Sequence, residues 1–174
     1  VRNEIGERLF HVLCEQMYHL QALHCDSHPG NFAFRPDGSL VIYDFGCVKR
    51  LNPLLVGEMK RLVKAALAND YATVDSALRD LGVRTQIGEV PPEYYLEWIA
   101  ILLAPLQDKT FDFAHSQVHE QVLKQIKTLM KYWDSFQPSA ETMMVNRAIG
   151  GHYWNFVNLG VHLNLHQPLM GYLR

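Results

Sequence analysis

The stretch His24-Cys25-Asp26-Ser27-His28-Pro29-Gly30-Asn31, followed after a short interval by Asp44-Phe45-Gly46, decides how the rest of the chain is read. Asn31 stands five residues after Asp26, and Asp44 thirteen after Asn31. The interval has the pattern of a hairpin. Phe32, Ala33 and Phe34 form one arm, Pro36-Asp37-Gly38 the turn, and Leu40, Val41, Ile42 and Tyr43 the other arm. Folding it back brings the end of the second strand beside the start of the first. Asp44 is therefore expected to face Asn31 and Asp26 across a small gap.

Such an arrangement suits phosphoryl transfer, which is mostly positioning plus neutralisation of charge. Asn31 and Asp44 can supply hard oxygen ligands for Mg²⁺. Asp26 can supply the carboxylate that orients or deprotonates a nucleophile. The order H-x-D-x-x-x-x-N, hairpin, D-F-G is that of the catalytic loop and metal loop in protein-kinase-like enzymes. A lone Asp-Phe-Gly would be a weak signal, and loop Asp and Asn residues often do no more than make turns. The two motifs in this order, separated by a hairpin-length gap, form a strong one. Pro29, with its fixed φ and no N–H, and Gly30, which tolerates positive φ, shape the loop so that Asn31 points at the metal. Phe45 and Gly46 support the metal loop. His24 is expected to pack inward beneath the loop. His28 either contacts phosphate or braces Pro29-Gly30.

The wording of the loop narrows the field. His24-x-Asp26-x-His28-Pro29-Gly30-Asn31, then Arg35-Pro36-Asp37-Gly38, then Tyr43-Asp44-Phe45-Gly46 resembles the UbiB/ADCK (ABC-one) family of atypical kinases. The resemblance covers roughly residues 1–60 and, more loosely, the C-terminal helices, above all Pro138 to Gly150. It implies ATP and Mg²⁺ as cofactors and ubiquinone biosynthesis as the setting. It implies lipid or quinone intermediates and other quinone-biosynthesis proteins as partners. The implied location is the cytoplasm, the periphery of a bacterial inner membrane, or the matrix side in mitochondria. The family also carries an N-terminal part with a K-x-G-Q motif and an alanine-rich nucleotide loop. Neither precedes Asp26, nor does a V-A-I-K-type lysine. The chain therefore reads as the C-lobe of a longer protein, an atypical kinase or ATPase whose residues 1–174 are expected to be catalytically silent by themselves.

Two alternatives stand beside this reading. The aminoglycoside/choline-kinase-like group of small-molecule kinases shares H-x-D-x-H-P-x-N, although its metal loop more often reads I-D-F or I-D-W. A non-catalytic, pseudokinase-like scaffold is the other, and the intact Asp26, Asn31 and Asp44 argue against it. Ordinary protein kinases follow D-F-G with a long segment ending in A-P-E. Here Cys47-Val48-Lys49-Arg50-Leu51-Asn52 leads straight to Pro53 and a helical pattern, leaving no platform for a peptide. A small-molecule, lipid-linked or ATP-hydrolysing role fits that shortness.

Length and composition agree with one domain. With 174 residues, the chain can bury a substantial core. A net charge of −2 and a pI near 6.5 give no reason to expect nucleic-acid binding. Cys14, Cys25 and Cys47 have no C-x-x-C spacing and suggest free thiols in a reducing compartment. No stretch approaches the ~20 apolar residues of a membrane span, and no signal peptide is visible.

Along the chain, Ile5, Leu9, Leu13, Met17 and Leu20 make one face of a helix over residues 3–22, with His11 and His19 at its core edge. After the hairpin, Pro53 opens a second helix. Asp70 caps a third that runs to Leu81 and stops at Gly82. Pro91-Pro92-Glu93 opens a helix to about Leu103, and another covers Ser116 to Trp133. His115 and His119 have metal-capable spacing but no third ligand, so a solvated face is expected. Phe111-Asp112-Phe113 is a connector anchored by aromatic packing. Ser139-Ala140-Glu141-Thr142 reads as the cap of a last helix, with Gly150-Gly151 permitting close packing or a kink, and an aromatic stripe of Tyr153, Trp154 and Phe156 follows. The tail, residues 162–174, is expected to be loosely structured. The predicted fold is mainly α, a protein-kinase-like C-lobe with one small β-hairpin. It has catalytic loop 24–31, metal loop 44–46 and helical scaffold 53–160.

Overall fold

The computed structural model describes all residues 1–174 and shows the expected mainly α architecture. Helix α1 (Arg2–Cys14) leads through a π turn (Glu15–His19) into strand β1 (Ala22–His24). The first helix is thus shorter than the apolar stripe suggested. Its end widens to a π turn and the chain reverses at Gln21, whose φ is +51°. The hairpin forms where expected, one residue shorter in its second arm: β2 (Phe32–Phe34) pairs antiparallel with β3 (Leu40–Ile42), Phe32 opposite Ile42, and Tyr43 lies beyond the strand.

A second strand pair was not legible in the sequence. Strand β4 (Val48–Arg50) runs antiparallel to β1, with Ala22 opposite Arg50 and His24 opposite Val48. The bonds Cys25 N–H to Cys47 O (2.8 Å) and Leu51 N–H to Gln21 O (2.8 Å) extend this ladder at both ends. It ties the segment that enters the catalytic loop to the segment that leaves the metal loop.

The helical scaffold follows its capping signals. Asn52 accepts from the Leu54 N–H and Pro53 opens α2 (Pro53–Leu67). Asp70 accepts from Thr73 N–H and starts α3 (Tyr71–Asp80), and Gly82 takes the left-handed conformation past its end (φ +71°). Next come α4 (Pro92–Leu102), the short strand β5 (Phe111–Asp112) and α5 (Val118–Leu129). The pattern read as one helix over 116–133 is α5 plus a tight 3₁₀ segment (Met130–Ser135), broken by a non-helical Tyr132 (φ −121°, ψ 29°). Helix α6 (Ala140–Leu159) passes through Gly150-Gly151 without interruption. Ser139 does not cap it: its hydroxyl donates instead to Leu81 O at 2.8 Å.

The tail is ordered, contrary to the expectation from its mixed composition. Strand β6 (His162–Leu163) pairs with β5, and α7 (His166–Leu173) follows. Val161, Leu163, Leu165, Leu169 and Leu173 are all buried. They belong to a core cluster of 22 residues that also takes in Leu9 and Leu13 of α1, Leu23 and Cys25 at the loop, Val56 of α2 and Phe156 of α6. Each fully buried Leu, Val or Phe of this kind is worth about 1.5–3 kcal/mol of transfer free energy. Phe113 is 1 % exposed and packs edge-on to Phe111 and Phe156, which anchors the connector as its aromatics suggested.

A smaller cluster of Ala65, Ala66, Val74 and Tyr95 joins α2, α3 and α4. Beside it the buried Arg84 guanidinium donates to the carbonyls of Ile87 (2.8 Å), Gly88 (2.7 Å) and Ser135 (3.1 Å) and to Asp75 (3.0 Å). A buried cation so fully partnered fixes the 85–91 loop. No helix is long and apolar enough to cross a membrane.

Candidate functional site

Every part of the site is positioned by short-range geometry that the motif encodes, and then by helix α6 from far along the chain. Pro29 opens a single 3₁₀ turn, Pro29–Asn31, whose preceding residue His28 accepts the Gly30 N–H on Nδ1 (3.1 Å). His28 therefore braces the turn through its ring, while remaining exposed to solvent. Asn31 N–H donates to His28 O (2.9 Å) and Asn31 O accepts Tyr43 N–H (2.9 Å), so the turn is joined directly to the end of the hairpin.

The Asn31 side chain closes on Asp26. Its Nδ2 donates to Asp26 Oδ2 (2.9 Å) and to Asp26 O (3.1 Å). Both amide hydrogens are thereby directed at Asp26, which leaves the Asn31 Oδ1 as an uncommitted hard donor. One oxygen of Asp26 is held and the other is free to accept.

His24 connects the two loops. It is 3 % exposed, and its Nε2 lies 2.9 Å from Asp44 O and 3.1 Å from Tyr43 O. Two carbonyls can only accept, so Nε2 carries the proton. This is the inward, supporting role expected of His24. Its own N–H donates to Gln16 Oε1 (3.0 Å) in the π turn, a partner the sequence did not single out. Asp44 sits in the left-handed region (φ +54°), and its Oδ1 accepts Gly46 N–H (3.2 Å). Phe45 packs edge-on against His24 at 5.6 Å and is 64 % exposed.

Helix α6 forms the floor. Ser27 Oγ donates to Ala148 O (3.1 Å), and Asn155 Nδ2 donates to Ser27 O (2.9 Å). Gly151 lets the loop lie directly on the helix: a Cβ there would fall 2.5 Å from Ser27 Cβ. His152 is 2 % exposed beneath Phe32, with ring centroids 5.6 Å apart. Burial, followed by the nearby His24, pushes its pKa down to about 4. Ser27, His152 and Asn155 were missed in the sequence, and the close packing read at Gly150-Gly151 is realised at Gly151 against a partner the sequence did not identify. The partners across the loop–helix contact are more than a hundred residues apart, and no local pattern marks them.

The donor set fits Mg²⁺. Asn31 Oδ1 and the Asp44 carboxylate are hard oxygens, and no group of three His, Cys, Asp or Glu forms a complete protein cage. Mg²⁺ is commonly held by one or two protein oxygens, with phosphates and water completing the shell. His115 and His119 each have another partner. His115 Nδ1 meets Asp112 at 2.8 Å, and His119 packs on Trp154 at 5.1 Å.

Comparison with known proteins agrees with the motif. Residues 1–78 match the ABC1 atypical kinase-like domain. Two uncharacterized proteins of Synechocystis sp. (strain ATCC 27184 / PCC 6803 / Kazusa) are similar. The protein sll0095 is 34% identical over 98 residues, covering 56% of this chain and 17% of that protein. The protein slr0889 is 40% identical over 52 residues, covering 30% of this chain and 13% of that protein. The fold is that of Rv3197 from Mycobacterium tuberculosis, solved in complex with erythromycin. The TM-score is 0.69 at 21% identity, over 95% of this chain and 42% of that one. The matched stretches span less than a fifth of the two Synechocystis relatives.

Proposed function

We propose, from the match of residues 1–78 to the ABC1 atypical kinase-like domain, that the whole protein performs Mg-ATP-dependent phosphoryl transfer, to water or to a small-molecule hydroxyl. The observation that carries this reading is the clamp of Asn31 on Asp26, 2.9 Å to Oδ2 and 3.1 Å to the carbonyl. It holds one carboxylate oxygen and frees the other, which is what a group that orients a nucleophile and takes its proton requires. The same clamp commits Asn31 Nδ2 and leaves Oδ1 without a partner, so that it and Asp44 would hold Mg²⁺. Bound Mg²⁺ neutralises charge on the transferring phosphoryl group.

His24 keeps the two halves in register by donating to the backbone of Tyr43 and Asp44. The Gly46 N–H fixes one Asp44 oxygen, so the other is presented in a defined direction. We place the activity in isoprenoid-quinone supply on the strength of the family resemblance alone.

The test uses the whole protein. Asp26→Asn should lower ADP release by about 10²–10⁴-fold. Asp44→Ala should abolish the rise in melting temperature that Mg-ATP gives the wild type, since a ligand stabilises by RT ln(1 + [L]/Kd). Wild-type turnover and nucleotide affinity in both variants would reject the assignment.

A further inference from the structure

A cavity of about 280 Å³ lies between the catalytic loop and α6. One wall is the loop, residues 25–29, and the other is a stripe of α6. Arg147, Gly151, Trp154 and Asn158 fall at i, i+4, i+7 and i+11, a single helix face. The walls are fixed before anything binds, because Ser27 is hydrogen-bonded to Ala148 and Asn155 and lies against Gly151.

Asp26 lines this cavity, and neither Asn31 nor Asp44 does. Asp26 is therefore shared between two sides: a metal side with Asn31 and Asp44, and an α6 side with none of the metal-holding oxygens. The α6 side holds groups that the fold leaves unused. Arg147 is exposed and makes no ion pair or side-chain hydrogen bond, and the Asn158 amide is likewise unpartnered. Trp154 is 46 % exposed and its indole is steadied by His119 at 5.1 Å and Tyr153 at 5.6 Å. A guanidinium with five fixed donors suits a carboxylate, sulfonate or phosphate. An indole face suits a flat or apolar body. The volume lies just below the roughly 300–1,000 Å³ usual for ligand pockets, which suits a small molecule.

We propose that this cavity is the acceptor subsite, taking a small hydroxylated molecule with an anionic group and a flat apolar body. Arg147 pairs the anion, Trp154 covers the apolar part, and Asn158 hydrogen-bonds at the rim. This rests on the phosphoryl-transfer reading of Asp26. In the step, the acceptor oxygen bonds to the γ-phosphorus of ATP, and the bond to the β–γ bridging oxygen breaks. ADP leaves, and the hydroxyl proton passes to Asp26.

The probe is 6-hydroxy-2-naphthoate, with 2-naphthol as its uncharged counterpart, titrated calorimetrically into the whole protein without nucleotide. The naphthoate should bind tighter than the naphthol. Arg147→Gln should weaken the naphthoate by about ten- to a hundredfold, the range of a charge-assisted hydrogen bond, and leave the naphthol unchanged. Arg147→Lys should keep part of the preference, and Trp154→Ala should weaken both probes. No wild-type binding of the naphthoate, or equal naphthoate affinity in wild type and Arg147→Gln, overturns the proposal. The nucleotide reading is judged separately, from the wild-type melting shift with Mg-ATP. Its failure beside a positive titration would leave an anion site that does not serve phosphoryl transfer.

Discussion

His152 sits under the catalytic loop with Nδ1 buried and without a hydrogen-bond partner. Its imidazole is neutral in the folded protein because burial, followed by the nearby His24, holds its pKa at about 4. In the unfolded chain a histidine titrates near 6.5. Between those values the unfolded state binds a proton that the folded state refuses. The sign is fixed by linkage: stability is full above the unfolded value and is lost as pH falls through that window, by about 1.4 kcal/mol per pH unit. His152→Leu removes the titrating group and should flatten this part of the profile. Urea midpoints of both proteins at about pH 4.5 and about pH 7 report it, because carboxylate titrations cancel in the comparison. Parallel profiles would show that His152 takes up its proton without opening the fold. At this scale the sequence was informative where the partners are close in the chain. Asp26 and Asn31, five residues apart, meet in the structure as their spacing implied. His24 took its supporting role because the hairpin returns Asp44 to it. His152 carried no such signal: on the sequence it is one polar residue beside an aromatic stripe, and only burial distinguishes it.

Among the elements, α6 is the platform on which the catalytic loop lies, and its two adjacent glycines separate packing from helix propensity. A methyl at Gly151 would meet Ser27 Cβ at 2.5 Å, whereas nothing lies within 4 Å of one at Gly150. The loop is pinned on both sides of Ser27 and has little room to give. Gly151→Ala should therefore cost about 1–3 kcal/mol through overpacking, and should lower turnover by displacing Asp26. Gly150→Ala should stabilise by roughly 0.8–1 kcal/mol, the helix-propensity difference. Thermal melts and ADP release of the two variants give the comparison, and matching behaviour would show that the loop–helix contact yields freely. The helices α2, α3 and α4 were legible because Pro53, Asp70 and the Pro91-Pro92 pair announce their starts locally. Strand β4 was not. It has three residues, and its existence depends on pairing with Ala22–His24. The order of the tail was hidden for the same reason. Leu165, Leu169 and Leu173 make a regular apolar row, but the row becomes a buried helix only because α1 lies beneath it.

For the whole molecule, the question is whether the catalytic loop opens by itself or only with the main core. Cys14 at the end of α1 and Cys25 in the loop belong to the same cluster of 22 buried residues, which α2, α6 and α7 complete. Cys47 is only partly buried, and none of the three is in a disulfide. Burial raises the thiol pKa of Cys14 to about 12 and also raises that of Cys25. A thiolate is the reactive form, so both are unreactive until the core opens. If the core opens as one unit, Cys14 and Cys25 should be alkylated at similar rates in the native protein. Both should lag Cys47 by about a thousandfold or more, as a folding free energy of at least 5 kcal/mol implies. The coupling has a second consequence. Leu173, fully buried on the last helix, lies far from Cys25 in sequence yet in the same cluster. Leu173→Ala should cost about 2–5 kcal/mol and so speed alkylation of both cysteines by about thirtyfold or more, leaving Cys47 unchanged. Mass spectrometry of tryptic peptides after timed iodoacetamide pulses resolves the three sites. Rapid labelling of Cys25 with Cys14 still protected would mean that the loop and its β1–β4 ladder move as a separate unit. The geometry around Asp26 would then be set by local contacts with α6, and not by the core that α7 closes.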